Sequence, residues 1–305
     1  MDHGRDLLHM INTFRSQMPI PIVGMGHSFG AAILCNVAFM HPRLLSTVVL
    51  LDPTIVTHAS APSGPSLVQS STFRRDLWPS RAEAIAAFAK SKFYQSWDRR
   101  VFERWCQVGI RDTPTRVYPD EYGSATLSTT KHQECFTFMR PSWDGISPDG
   151  STILRRDMVP DINLEQPKRY PLYRPEPLAV LRRLGELRPS VLYIFGETSP
   201  MSPPDLIHER MEITGNAPGG SGGVKEGRVK GITLQGYGHL IAMEASELCA
   251  DAAAAWLGQE VKRFEADRKA YEEWTKKSLP EKQTMSEEWQ KRVGGPLKQP
   301  PKSKI

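Results

Sequence analysis

Gly26-His27-Ser28-Phe29-Gly30 sets one serine between two glycines, with a single residue on either side. The apolar run Ile20-Pro21-Ile22-Val23-Gly24-Met25 leads into it, and residues 31–40, rich in Ala, Ile, Leu, Val and Phe, lead out. A short buried strand turning sharply into a buried helix fits this pattern. Ser28 then occupies the apex of the turn with strained dihedrals, and Gly26 and Gly30 keep side chains out of the crowded bend. The helix start aims backbone N–H groups and its positive end at a developing negative charge. The chemistry this serves is nucleophilic attack by a serine hydroxyl. A turn whose serine merely caps the helix is the plain alternative.

A serine hydroxyl is inert until a base takes its proton. Of the eight histidines, His239 is the best placed, in Gly236-Tyr237-Gly238-His239-Leu240 between an apolar strand and a long helix. His27 adjoins Ser28, but its side chain is expected to point elsewhere, lining the pocket or packing. His41 and His58 read as loop residues, and His132 and His208 as possible substrate contacts. An imidazole base needs a carboxylate to hold its tautomer. Asp52, closing the strand Val48-Val49-Leu50-Leu51, lies 24 residues after Ser28 and is the preferred candidate. Glu197, after the strand Val191-Leu192-Tyr193-Ile194-Phe195, is the alternative, and Asp205 a third.

These residues need a scaffold that brings strand ends together. Leu7, Leu8, Ile11, Phe14 and Met18 recur at spacings of three and four, which predicts an amphipathic helix over 5–18 ended by Pro19. The run 44–51 is too uniformly apolar for a sheet with one wet face and reads as a central parallel strand. Further buried strands are predicted at 190–196 and 229–234, with helices at 178–187, near 203–213, and from 243 to about 289 with a break at Pro280. The composition of 216–227 marks a flexible loop. Between 52 and 189 no strand is as convincing. A Ser/Pro-rich loop at 58–66, helical runs over 80–109 and a Pro/Asp-rich connector read as a helical insertion. The fold class is therefore α/β, a mostly parallel sheet with a helical lid. Residues 1–57 and 186–257 form the core, 58–185 the lid, and 258–305 a C-terminal helix and basic tail.

Composition narrows the function classes. The 305 residues, 39% hydrophobic with seven Trp, can bury a full core. No apolar run approaches the roughly 20 residues of a spanning helix. Cys35, Cys106, Cys135 and Cys249 lie far apart, without a disulfide or zinc pattern. The opening Met-Asp-His-Gly-Arg-Asp lacks the basic-then-apolar order of a signal peptide, so an intracellular protein is expected. The net charge is +5, and residues 258–305 hold twelve Lys and Arg against eight Asp and Glu, so the body is nearly neutral. Mixed signs in the tail read as solvated helix rather than a nucleic-acid stripe. Dinucleotide binding fails because Phe29 stands where G-x-G-x-x-G needs its third glycine.

The order Ser28, acid, His239 on strand ends resembles the α/β-hydrolase superfamily. The match rests on GHSFG, LLDP, FGETSP and GYGHLIAMEA and covers most of residues 1–257. Within the superfamily the chain resembles fungal, partly peroxisomal, hydrolases of toxin and other secondary-metabolite biosynthesis. The resemblance implies Ser28 as nucleophile, His239 as base, Asp52 as the acid after strand six and the Phe29 N–H as an oxyanion donor. The usual acid position falls in the GETSP loop, where this sequence has Ser199 instead of Asp. It further implies an acyl-enzyme mechanism on a hydrophobic ester or thioester, with no cofactor and no metal. Serine at the elbow argues against epoxide hydrolysis or dehalogenation. The lid aromatics (Phe88, Phe93, Tyr94, Trp97, Phe102, Trp105, Phe136, Phe138, Trp143, with Met139) either form the lid's own core or partly line an acyl pocket.

Family members carry four strands and a helix before the elbow, whereas 27 residues precede Ser28 here. The expectation is an N-terminally truncated form lacking one oxyanion donor, the alternative a short protein that completes its sheet as a homo-oligomer. An inactive scaffold, or an acyltransferase or cyclase using the same residues, stays open beside the hydrolase. Ser303-Lys304-Ile305 resembles the Ser-Lys-Leu peroxisomal address read by an import receptor. Peroxisome is the expected location and cytoplasm the alternative.

Overall fold

The computed structural model describes residues 2–57, 67–166 and 169–296. The 58–66 loop with His58, and Ser303, Lys304 and Ile305, lie outside the described residues.

Helix α1 (Asp2–Thr13) buries Ile11, but Phe14 is exposed and a 3-10 turn at Arg15–Gln17 follows. The helix stops short of the predicted 18 because its apolar stripe finds no core to pack on beyond Ile11. Strand β1 (Val23–His27) turns into α2 (Phe29–Met40), and β2 (Thr47–Leu51) follows with all five residues buried. The insertion then contributes α3 (Leu67–Phe73), β3 (Leu77–Trp78), α4 (Arg81–Ala89), α5 (Lys92–Gln95), α6 (Arg99–Val108), β4 (Ile110–Asp112), β5 (Ala125–Leu127), α7 (Lys131–Phe138), β6 (Arg140–Pro141) and β7 (Leu172–Tyr173). The chain returns through α8 (Glu176–Arg183), β8 (Ser190–Gly196), α9 (Pro204–Ile213), β9 (Val229–Leu234), α10 (Ile241–Glu244) and α11 (Ser246–Lys276).

The main sheet has the order β1-β2-β8-β9 with every pair parallel. Parallel strands need crossovers, and the helices that make them cover both faces. Val48, Leu50, Val191, Tyr193 and Phe195 pack on one face with Ala31, Cys35 and Val37 of α2 and Val180 and Leu181 of α8. Val49, Leu51, Leu192 and Ile194 face the other side, against Ile241, Cys249, Ala253 and Trp256. Every side chain of the central strands is thus covered, which is why these strands read as uniform apolar runs rather than alternating ones. Burying one such aliphatic side chain contributes about 1.5–3 kcal/mol.

The insertion is not purely helical. It holds two small antiparallel sheets, β3-β5-β4 and β6-β7. Their strands are two or three residues long, too short to leave a period-two signature in the sequence. Trp78, Ala84, Phe88, Ile110, Ala125 and Leu127 form the core there, with Tyr94, Phe102 and Trp105 packed against it. Phe88 meets Trp105 edge-on at 4.5 Å. Phe93, Phe136 and Trp143 remain exposed.

The fold divides into two compact units at Glu260. In the second, the helical run is interrupted at 277–278, just before Pro280. Pro280 occupies the first turn of α12 (Leu279–Gln283), where its missing N–H costs nothing, and a Ser278–Glu281 capping box starts that helix. A last helix, α13 (Glu287–Val293), follows. No helix of the described residues is long and apolar enough to cross a membrane.

Candidate active site

Because β1, β2, β8 and β9 run parallel, their C-terminal ends share one rim, and the residues singled out for chemistry follow those ends. Ser28 comes directly after β1, with φ 56° and ψ −121°. Its N–H donates to Leu51 O at 2.9 Å, tying the apex to the end of β2. Asp52, next after β2, has φ 39°. Among the described residues these two are the non-glycine positions with positive φ. Such backbones cost on the order of 1–3 kcal/mol each and persist where surrounding contacts over-determine them, often at functional sites.

Crowding explains only one of the two elbow glycines. A Cβ on Gly26 would stand 2.8 Å from Gly30 C, Gly30 O and Leu34 Cδ1, whereas one on Gly30 would meet nothing within 4 Å. Gly30 is the backbone that approaches, not the position that is crowded. A second close approach lies on β8, where a Cβ on Gly196 would fall 2.1 Å from Gly238 O. A bare glycine there lets the loop carrying His239 lie against the strand end.

Ser28 Oγ lies 2.8 Å from His239 Nε2, and His239 Nδ1 lies 2.6 Å from Asp52 Oδ2. With Asp52 ionised, Nδ1 carries the ring proton and Nε2 accepts from the serine hydroxyl. Asp52 is fully buried. Its Oδ1 accepts the Gly196 N–H at 3.1 Å and the Ser202 hydroxyl at 2.8 Å, and Oδ2 also accepts the Ser199 hydroxyl. Burial by itself raises the pKa of this carboxyl. The hydrogen bonds from His239, Ser199 and Ser202 outweigh it and hold the group below the usual carboxylate range. Ser199, standing where the family pattern has an acid, instead donates to the acid on the neighbouring strand.

The other candidates are elsewhere. Glu197 is exposed, and its Oε2 accepts the Gly236 N–H at 2.7 Å, bracing the turn that leads to His239, whose ring instead meets Ser28 and Asp52. Asp205 is exposed in the first turn of α9. His41 and His132 are exposed, and His208 pairs with Glu212 at 3.1 Å on the surface of α9. His27 does not merely pack. Its Nε2 donates to the carbonyl of His239 at 2.7 Å, and the two rings lie 5.1 Å apart. Burial lowers the His27 pKa, which favours the neutral ring. The Phe29 N–H, at the first position of α2, has no intrahelical acceptor and is free to serve as a donor.

Four residues were not legible as site partners: Ser199 and Ser202 on Asp52, Thr54 on Ser28, and Arg210 behind them. Arg210 is fully buried and donates to Ile55 O, Met201 O and Ser202 Oγ. The one available signal was the Ser199 hydroxyl at the position where an acid was expected. Among the described residues no group of three or more His, Cys, Asp and Glu side chains comes together to hold a metal ion.

Comparison with known proteins fits this architecture. The alpha/beta hydrolase family model matches residues 2–252. The type I acyl-CoA thioesterase mpaH of Penicillium roqueforti is 40% identical over 299 residues, covering 90% of this chain and 66% of its own length. The chain therefore spans just under two thirds of the length of such curated relatives. The abhydrolase domain-containing protein AKT2 of Alternaria alternata is 25% identical over 240 residues, 79% of this chain and 84% of that protein. Among solved structures, the peroxisomal alpha-beta-hydrolase Lpx1 of Saccharomyces cerevisiae superposes with a TM-score of 0.58 at 14% identity, covering 91% of this chain and 69% of its own, a likeness of fold. The matched segment contains the elbow, the four-stranded sheet and the loop of His239, and on this ground the chain belongs to the alpha/beta hydrolase family.

Proposed function

We propose that the chain is a serine hydrolase cleaving an ester or thioester of a hydrophobic acyl substrate in fungal secondary-metabolite biosynthesis. The observation that carries this reading is the hydrogen-bonded line from Ser28 Oγ through His239 to buried Asp52, built on two strained backbones. His239 takes the Ser28 proton as Oγ attacks the acyl carbon, and Asp52 stabilises the imidazolium. The Phe29 N–H donates to the oxyanion. Collapse expels the alkoxide or thiolate, which takes the proton from His239. Water then repeats the sequence on the acyl-enzyme, releasing the acid and restoring Ser28.

The thioester form is supported by the name of the Penicillium relative, an acyl-CoA thioesterase. The segment 58–185 is proposed as the lid as far as the start of α8, whose Val180 and Leu181 pack on the main sheet, and the exposed Phe93, Phe136 and Trp143 give it apolar surface beyond its own core. Fluorophosphonate labelling tests the reading. The wild-type chain is expected to label, Ser28→Ala not at all, and His239→Ala at least about 10³-fold more slowly. Thioester turnover should rise with acyl chain length. A folded wild-type chain that does not label would replace this reading with that of an inactive scaffold.

The tripeptide Ser303-Lys304-Ile305 supports a peroxisomal location through an import receptor. A fluorescent protein extended by the final residues of this chain is expected to become punctate, and a diffuse distribution would sink the assignment.

A further inference from the structure

Thr54 stands two residues beyond Asp52, where the positive φ of Asp52 and the ring of Pro53 turn the chain back toward the elbow. Its N–H donates to Ser28 O at 3.0 Å, so its backbone is fixed to the nucleophile's own residue. Its Oγ1 lies 3.1 Å from Ser28 Oγ.

We propose that Thr54 is a further catalytic residue, whose hydroxyl donates to Ser28 Oγ and stabilises the negative charge that gathers on that atom. The inference rests on the serine-hydrolase reading. Ser28 Oγ has one proton, and it points to His239 Nε2, the ring nitrogen left as acceptor by the Asp52 bond to Nδ1. The proton in the Ser28–Thr54 contact must then come from Thr54. A hydroxyl bonded to an oxygen that is gaining charge is held more tightly than one bonded to a neutral hydroxyl. The contact therefore strengthens as His239 withdraws the Ser28 proton, which is the condition for lowering the barrier rather than only binding substrate.

The same donor acts in both halves of the reaction. In acylation the Oγ–carbon bond forms while the Ser28 proton moves to His239, and the Thr54 proton stays on Oγ1. In deacylation the Oγ–carbon bond breaks and its electron pair returns to Oγ. That oxygen is held by Thr54 until it takes a proton from His239. The site thus carries a side-chain donor on the β2 side of the elbow, in addition to the Phe29 N–H at the start of α2.

The test compares wild type, Thr54→Val and Thr54→Ser for fluorophosphonate labelling rate and thioester turnover, with Ser28→Ala as the blank. Thr54→Val keeps shape and loses the hydroxyl. It is expected to slow labelling and kcat about tenfold with KM unchanged, while Thr54→Ser stays within about twofold of wild type. If the valine variant does not fold, Thr54→Ala against Thr54→Ser isolates the same hydroxyl. A hydroxyl-free variant labelling as fast as wild type would overturn the proposal. So would faster labelling, which would mean that Ser28 donates to Thr54 and is restrained by it, or a serine variant as slow as valine. A wild-type chain that does not label overturns the serine-hydrolase reading together with this one. A labelled wild type with an indifferent Thr54 overturns this one alone.

Discussion

Asp52→Asn is expected to lower turnover by about 10³–10⁴-fold with the fold retained, while Glu197→Gln stays within about twofold of wild type. An asparagine amide facing His239 Nδ1 donates a hydrogen bond to it, which favours the tautomer with the ring hydrogen on Nε2. That nitrogen can then no longer accept from Ser28 Oγ, which lies 2.8 Å away. Glutamine at 197 keeps an oxygen for the Gly236 N–H, the bond Glu197 makes. Turnover on one thioester, with circular dichroism as the fold control, decides between the two carboxylates. Loss in Glu197→Gln with activity in Asp52→Asn would reverse the assignment. The pH dependence of stability gives a second reading. The Asp52 pKa is lowered in the folded chain. Its contribution is therefore present above the unfolded carboxyl value of about 3.9 and is lost as pH falls through the lower folded value. Asp52→Asn should lack that acid-side loss, and its unfolding free energy should fall less steeply below about pH 4.

What the sequence made legible were features with short range or strong periodicity. The uniformly apolar runs of β2 and β8 could be read because both sheet faces are covered, and GHSFG because a strand must bend into a helix around one serine at the apex. His239 followed from its place between a strand and a helix. The acid was harder, since Asp52 and Glu197 both end strands on the same rim. Which one meets the imidazole depends on where the His239 loop lies, and that is set by the backbone of Gly238 resting on Gly196. The bonds that Ser199, Ser202 and Arg210 make in the site are not legible in the sequence for a related reason. Their roles come from contacts spanning about 150 residues to Asp52 and Ile55, and hydroxyl and guanidinium groups carry no periodic signal. Phe14 shows the converse failure, a side chain in perfect helical register whose helix ends before it.

Arg210 is where loss of one side chain should cost the most stability. Arg210→Met is expected to reduce the unfolding free energy by about 3–5 kcal/mol, read from the urea midpoint and slope. The guanidinium is fully buried, and burial pulls its pKa down to about 10, which still leaves it charged at neutral pH. Its Nε and Nη2 donate to Ile55 O at 3.0 and 2.8 Å, Nη2 also to Met201 O at 2.7 Å, and Nη1 to Ser202 Oγ at 3.2 Å. One side chain thus joins the segment after β2 to the segment before α9, and these are the two segments that hold Asp52. Methionine fills much of the space but leaves two buried carbonyls without their donor, and an unpaired buried acceptor costs more than the bond it lost contributed. Arg210→Lys keeps the charge and cannot reproduce the fork, so it should fall between wild type and methionine. Both variants should also label more slowly with fluorophosphonate at temperatures where they are folded, because Ser202 loses the donor that orients its hydroxyl toward Asp52. A methionine variant within about 1 kcal/mol of wild type would mean that the two segments are held by their apolar contacts alone, and that Asp52 keeps its place without the cation behind it.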